Sequence, residues 1–260
     1  MRQVIFLFIS ILFLGLTSCE ELIHLDLNAA DPRYVIEGDL TDLSNEQIIK
    51  VSQTVAFDEA RRYNPVENAS VVVTDDRGRI YTFQHIGDGR YRATFRPREK
   101  GTYNLLVTIE GEEFRASSYV NPYIDVDSLG VVEDVIFSDT LYSVTLKFYD
   151  PQNEPNYYKY NISVNGEEFK FSRVYSDKFN DGLYVTHQLS DEDIRWGDSV
   201  VVRRQIVDKP VFTYWNEVQS TNPGSAAPAN PTSNISNGAL GYFSVSLAKR
   251  YGFRVEFERE

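Results

Sequence analysis

From Tyr34 onward, short runs of Val, Ile, Tyr, Phe and Thr alternate with polar residues and end on Gly, Asn or Asp. This two-residue period restricts the chain to β structure, because successive strand side chains point to opposite faces of a sheet. Tyr34–Gly38, Ile48–Val55, Ala69–Asp75, Ile80–Phe83, Tyr91–Phe95, Tyr103–Ile109 and Phe114–Tyr119 read as strands. Val120-Asn121-Pro122-Tyr123 then breaks the pattern, since proline ends a strand. The same style resumes in Leu141–Tyr149, Tyr158–Val164, Glu168–Tyr175, Leu183–Leu189, Ser199–Val207, Tyr242–Ala248 and Tyr251–Phe257. Asn165-Gly166 between two of these runs predicts a type I′ hairpin turn. The expected fold is all-β, with two antiparallel Ig-like β-sandwich domains in tandem, residues 34–120 and 121–260. Val211–Gln219 departs from the pattern, placing Phe212, Trp215 and Val218 at helical spacing, so a short helix is predicted there. Ser220–Asn237, rich in Ser, Pro, Asn and Ala, is expected to be a long irregular loop.

The segment before Tyr34 has a different character. Arg2 is followed by the apolar run Val4–Leu14, and Leu16-Thr17-Ser18 leads into Cys19, the only cysteine. The run is too short to cross a hydrocarbon core of about 30 Å as a helix, but suits the apolar part of a signal peptide. Leu-Thr-Ser-Cys resembles the bacterial lipobox, in which the cysteine is acylated and becomes the first mature residue. Residues 1–18 are therefore expected to be a lipoprotein signal peptide, Cys19 the lipidation site, and 19–33 a lipidated tether. With no second cysteine a disulfide is impossible, and lipid attachment is the use of an exported lone thiol that fits. The formal charge is -12, and losing Arg2 with the signal makes it -13. Such a chain should bind neither nucleic acid nor anionic headgroups non-specifically, so attachment to a membrane must come from the lipid.

Residues that carry chemistry are sparse. His24, His85 and His187 lie far apart in sequence with no metal-ligand spacing, and are expected to be ordinary surface or edge residues. No G-x-S-x-G elbow or phosphate-cradling glycine loop occurs, so no catalytic residues, metal or cofactor are expected. Asp177-Lys178-Phe179-Asn180-Asp181-Gly182 resembles a fragment of a calcium loop but lacks the terminal bidentate Glu, and is expected to be a solvated turn. Tyr157-Tyr158, Tyr214-Trp215 and Tyr242-Phe243 could stack against sugar rings, but core and inter-sheet packing is the expected role. Tyr214 and Trp215 also adjoin the long loop. With Asn234, inside that loop, they are the candidate partner contacts.

Several stretches together resemble a known family. They are Asp31–Gly38 (DPRYVIEG), Val51–Val55 (VSQTV), Val66–Val73 (VENASVVV), Gly101-Thr102-Tyr103 and Asp127-Ser128-Leu129. Asn230–Ile235 (NPTSNI) followed by Gly238–Phe243 (GALGYF) is the most specific piece. In this order they resemble the Bacteroidota lipoproteins that contain domain of unknown function 4249. The resemblance implies an exported lipoprotein, often encoded beside a TonB-dependent outer-membrane receptor, with no agreed catalytic residues. Glu20-Glu21 is similar to the acidic signal that sends such lipoproteins to the outer face. Asp127-Ser128-Leu129, Asp139-Thr140-Leu141 and Asp198-Ser199-Val200 are similar to the short O-glycosylation motif of the same bacteria. The expected function is a non-catalytic, lipid-anchored outer-membrane binding or accessory protein, working with a TonB-dependent receptor in nutrient uptake or surface assembly. A structural envelope lipoprotein without a small-molecule ligand is the alternative, and an enzyme acting on surface glycan or peptide is the third.

Overall fold

The computed structural model describes residues 31–55, 63–136, 139–191, 193–221 and 230–256. The expected signal peptide, Cys19, His24 and the acidic stretch that follows Cys19 lie outside them. Among the described residues the fold is all-β with a single helix. In chain order the strands are β1 (Tyr34–Thr41), β2 (Glu46–Gln53), β3 (Asn64–Pro65), β4 (Ser70–Asp75), β5 (Ile80–His85), β6 (Arg90–Thr94), β7 (Thr102–Ile109) and β8 (Glu112–Tyr119). After the break at Pro122 come β9 (Ser128–Ile136), β10 (Asp139–Tyr149), β11 (Tyr157–Val164), β12 (Lys170–Ser176), β13 (Tyr184–Ser190) and β14 (Ser199–Val207). The helix α1 (Lys209–Ser220) and β15 (Leu240–Arg254) complete the set.

The first half wraps one core. Along β7 buried positions alternate, with Tyr103, Leu105, Val107 and Ile109 facing inward. β5 pairs with β4 through Ile80–Phe83 and with β6 through Gln84 and His85, so the sheet folds over on itself at this strand. The fold brings Val71 and Val73 of β4 into the same core as Ile36, Leu40, Ile49, Val51 and Tyr91. At the far edge, Ser118 of β8 accepts a hydrogen bond from the Val245 N–H at 3.0 Å, which brings β8 back to β15.

The second half is a sheet of β12-β11-β14-β15 facing the three strands β13-β10-β9. Its core joins Val144, Leu146 and Phe148 to Tyr158, Tyr160, Ile162, Val200, Val202 and Ile206. Asn165 and Gly166 join β11 to β12 with φ of 51° and 82°, the left-handed geometry that a type I′ turn requires.

The two halves are not independent in hydrogen bonding. β15 runs parallel to β1 over Leu240–Ser246 and antiparallel to β14 over Leu247–Arg254, so one fifteen-residue strand borders both cores. The expected boundary at Val120 falls between β8 and β9, and the described residues from Pro32 onward belong to one compact unit. Where two terminal strands are expected, at 242–248 and 251–257, β15 runs as one to Arg254. Lys249 and Arg250 interrupt the apolar pattern but still pair with Arg204 and Arg203 of β14. No helix among the described residues is long and apolar enough to cross a membrane.

Candidate functional site

α1 lies on the outer face of the second sheet. Its start is specified locally: the Asp208 carboxylate caps the first turn by accepting from the Val211 N–H at 3.2 Å, and Pro210 sits where no N–H is needed. The Tyr119 N–H at the end of β8 donates to the same carboxylate at 3.0 Å, so the cap also ties the helix to the first half. Burial pushes the Asp208 carboxyl upward, against the lowering effect of these amides.

The three candidate partner contacts converge on one stretch of β15. The Tyr214 ring lies 5.0 Å and the Trp215 ring 5.2 Å from Tyr242, while Asn234 bonds to Phe243 next to it. All three are half-buried. Trp215 stacks on Phe171 of β12 at 4.4 Å, so much of its surface packs the helix onto the sheet. Glu217 accepts from the Thr232 N–H and hydroxyl, which holds the described end of the 220–237 loop against α1.

Under the helix lies a buried ionic group. On β11, Tyr158, Tyr160 and Ile162 point to the core, and the alternate residue Lys159 points toward α1. Its Nζ, fully buried, sits 2.9 Å from Asp39 of β1 and over the rings of Trp215 and Tyr242 at 4.7 and 5.2 Å. Arg203 and Gln205 of β14 reach the same carboxylate at 3.3 and 2.7 Å. Burial alone would raise the Asp39 pKa, but Lys159 and Arg203 outweigh it and hold the carboxyl below its ordinary value.

The opposite face of β14 carries Arg204 into the second core. Its Nε donates to the Tyr160 hydroxyl at 3.1 Å, a second nitrogen reaches the Ile124 carbonyl, and Phe148 and Tyr158 face the guanidinium. The Tyr160 hydroxyl also meets His187 Nδ1 at 2.8 Å. His187 is therefore not a surface or edge residue: only 3% of it is exposed, and it stacks on Tyr175 at 4.1 Å. β13 alternates so that Val185, His187 and Leu189 share the buried face, and that spacing was the available signal. Burial, followed by the Arg204 charge, lowers the His187 pKa to about 3, so the ring is neutral at neutral pH. His85 stays at the surface, 3.9 Å from Glu67.

A third group joins residues from both sheets of the second half. Asp150 follows β10, Asp177 follows β12 and Asp181 precedes β13, and each offers a carboxylate oxygen, all within 4.8 Å of one another. Asp150 and Asp177 are buried and Asp181 is exposed. The Asn156 N–H donates to Asp177 at 2.7 Å, and the Asn153 N–H to Asp181 at 2.8 Å. One Asp150 oxygen accepts from the Tyr158 hydroxyl, while the other is buried with no hydrogen-bond partner. Burial raises the Asp150 pKa, opposed by the Tyr158 hydroxyl and, more weakly, by the nearby Gly182 N–H, which makes no hydrogen bond of ordinary geometry to it, and reinforced by the charges of Asp177 and Asp181. The Asp177–Gly182 segment thus contributes to a partly buried cluster that includes Asp150, far away in sequence.

Two surface features complete the picture. An open cleft of about 670 Å³ is lined by Asp134, Val135, Leu141, Tyr142, Ser143, Ser190 and Asp191. Ser128, Thr140 and Ser199, the hydroxyl residues of the three glycosylation-like motifs, are exposed at or near strand starts.

Residues 20–251 match the model of a family described as Domain of unknown function (DUF4249). No curated protein matches the chain.

Proposed function

Given that the chain belongs to the DUF4249 family, we propose that it is a lipid-anchored outer-membrane binding or accessory protein with no catalysis of its own. The carrying observation is the order of the parts: an apolar run, a lone cysteine, then one compact all-β unit from Pro32. The family match begins at residue 20, next to Cys19. In this reading signal cleavage leaves Cys19 as the lipidated first residue. Its distance from β1 is bounded by chain length: the 15 steps from Cys19 to Tyr34 span at most about 54 Å. The folded body is held close to the bilayer, and the mature charge of -13, from -12 less Arg2, leaves the lipid as its attachment.

The work of the body is recognition. Its two cores are two Ig-like sandwiches with β15 as a shared strand, and α1 with the 230–238 segment offers Tyr214, Trp215 and Asn234 to a partner. The family resemblance makes a TonB-dependent receptor the partner class, and Glu20-Glu21 favours the outer face.

The test has two arms. Cys19→Ala should abolish labelling by an alkyne-tagged fatty acid and release the protein from the membrane fraction; unchanged partitioning would overturn the anchor. Cross-linking from the exposed Asn216 of α1 should capture a TonB-dependent β-barrel receptor. Capture of envelope scaffold proteins alone would replace this role with that of a structural lipoprotein.

A further inference from the structure

The geometry points to a calcium site formed by Asp150, Asp177 and Asp181. Three carboxylates converge here without a basic side chain among their hydrogen-bond partners in the described residues. Their ligand oxygens lie within 4.8 Å of one another. Oxygens that share one Ca²⁺ at about 2.3–2.6 Å stand at most about 5 Å apart, so the three can contact the same ion.

The independent sign is the unpartnered oxygen of Asp150, a residue only 4% exposed. A buried carboxylate oxygen that gives up water without a donor is costly, and native structures seldom leave one so. Asn156, 5% exposed, has a second such acceptor in its side-chain oxygen, and its own N–H is already bonded to Asp177. Both orphaned groups are acceptors, and a cation satisfies acceptors. The ligand set is all oxygen and loop-borne, with one exposed member as the point of entry. That chemistry suits Ca²⁺, which tolerates irregular shells, better than Mg²⁺, which demands a near-ideal octahedron. The ion would clamp the β10–β11 turn to the β12–β13 turn and so join the two sheets of the second half at one end.

Terbium, a luminescent stand-in for calcium, provides the test on the full mature protein. The Tyr158 hydroxyl touches Asp150 directly, so excitation of tyrosine should sensitise bound Tb³⁺. The expected result is saturable emission at one ion per chain, displaced by Ca²⁺ far more readily than by Mg²⁺, with a higher Tm in Ca²⁺ than in chelator. Asp181→Asn removes an exposed charge while keeping an oxygen for the Asn153 N–H, and should weaken binding about tenfold or more without unfolding the chain. Absence of saturable emission, equal displacement by Mg²⁺, or unchanged affinity in Asp181→Asn would overturn the site.

Discussion

Gly241 of β15 pairs with Ile36 of β1 so closely that a Cβ on the glycine would stand 2.1 Å from the Ile36 carbonyl oxygen. The glycine also holds φ at +87°, a conformation that L side chains rarely adopt. Gly241→Ala should therefore cost about 3 kcal/mol or more, by forcing the parallel pair apart and straining the backbone. Urea denaturation of the variant measures it, and a loss below about 1 kcal/mol would count against the pairing.

Asn234 acts as a one-residue strand beside Phe243. Its Oδ1 accepts from the Phe243 N–H at 2.9 Å and its Nδ2 donates to the Phe243 carbonyl at 2.8 Å. Asn234→Ala leaves both groups without that partner and should cost about 2–3 kcal/mol. Hydrogen exchange at the Phe243 amide should accelerate in the variant, and unchanged protection would show that the side chain is dispensable.

Asp39 and Lys159 should respond unequally to removal. Asp39→Asn leaves the Lys159 ammonium buried with aromatic rings and a neutral amide, at a cost of about 3–5 kcal/mol. Lys159→Met should cost less, because Arg203 and Gln205 still serve the carboxylate. Equal losses for the two variants would contradict the shared network.

Acid should weaken the fold through His187. Its folded pKa of about 3 lies below the ordinary 6.5, so the unfolded chain takes up a proton that the folded chain refuses. This contribution is fully present above pH 6.5 and is lost as pH falls toward 3, at up to about 1.4 kcal/mol per pH unit. His187→Gln should flatten that part of the stability profile relative to wild type. An unaltered slope would assign the acid sensitivity to other groups.

Local signals carried the strand content, and non-local ones were hidden. Asn165-Gly166 and the spacing of Phe212 and Trp215 are short-range patterns, and both the turn and the helix are present. β11 shows what alternation misses. It is covered on both faces, so Lys159 and Asn161, the polar positions of its alternating pattern, are buried between the sheet and neighbouring residues. The β1–β15 pair was not legible, because nothing near Ile36 specifies a parallel partner two hundred residues later. β9 lacks a clear strand pattern, because Gly130, Glu133 and Asp134 interrupt its short apolar pairs. The same separation in sequence hid the acidic cluster: Asp177 and Asp181 form a turn motif by themselves, and only the packing of β10 against β13 adds Asp150.

The parallel pairing of β1 with β15 also has a mechanical consequence. If the chain is anchored through Cys19 as proposed, a pull on the anchor enters the described fold at the start of β1. Seven registered pairs tie β1 to β15 and five more tie it to β2, with hydrogen bonds running across the direction of load. These bonds are strained together in shear, where a hairpin peeled from its end would lose them one at a time. β15 in turn pairs with β14, so load on β1 would pass into the second core as well as the first.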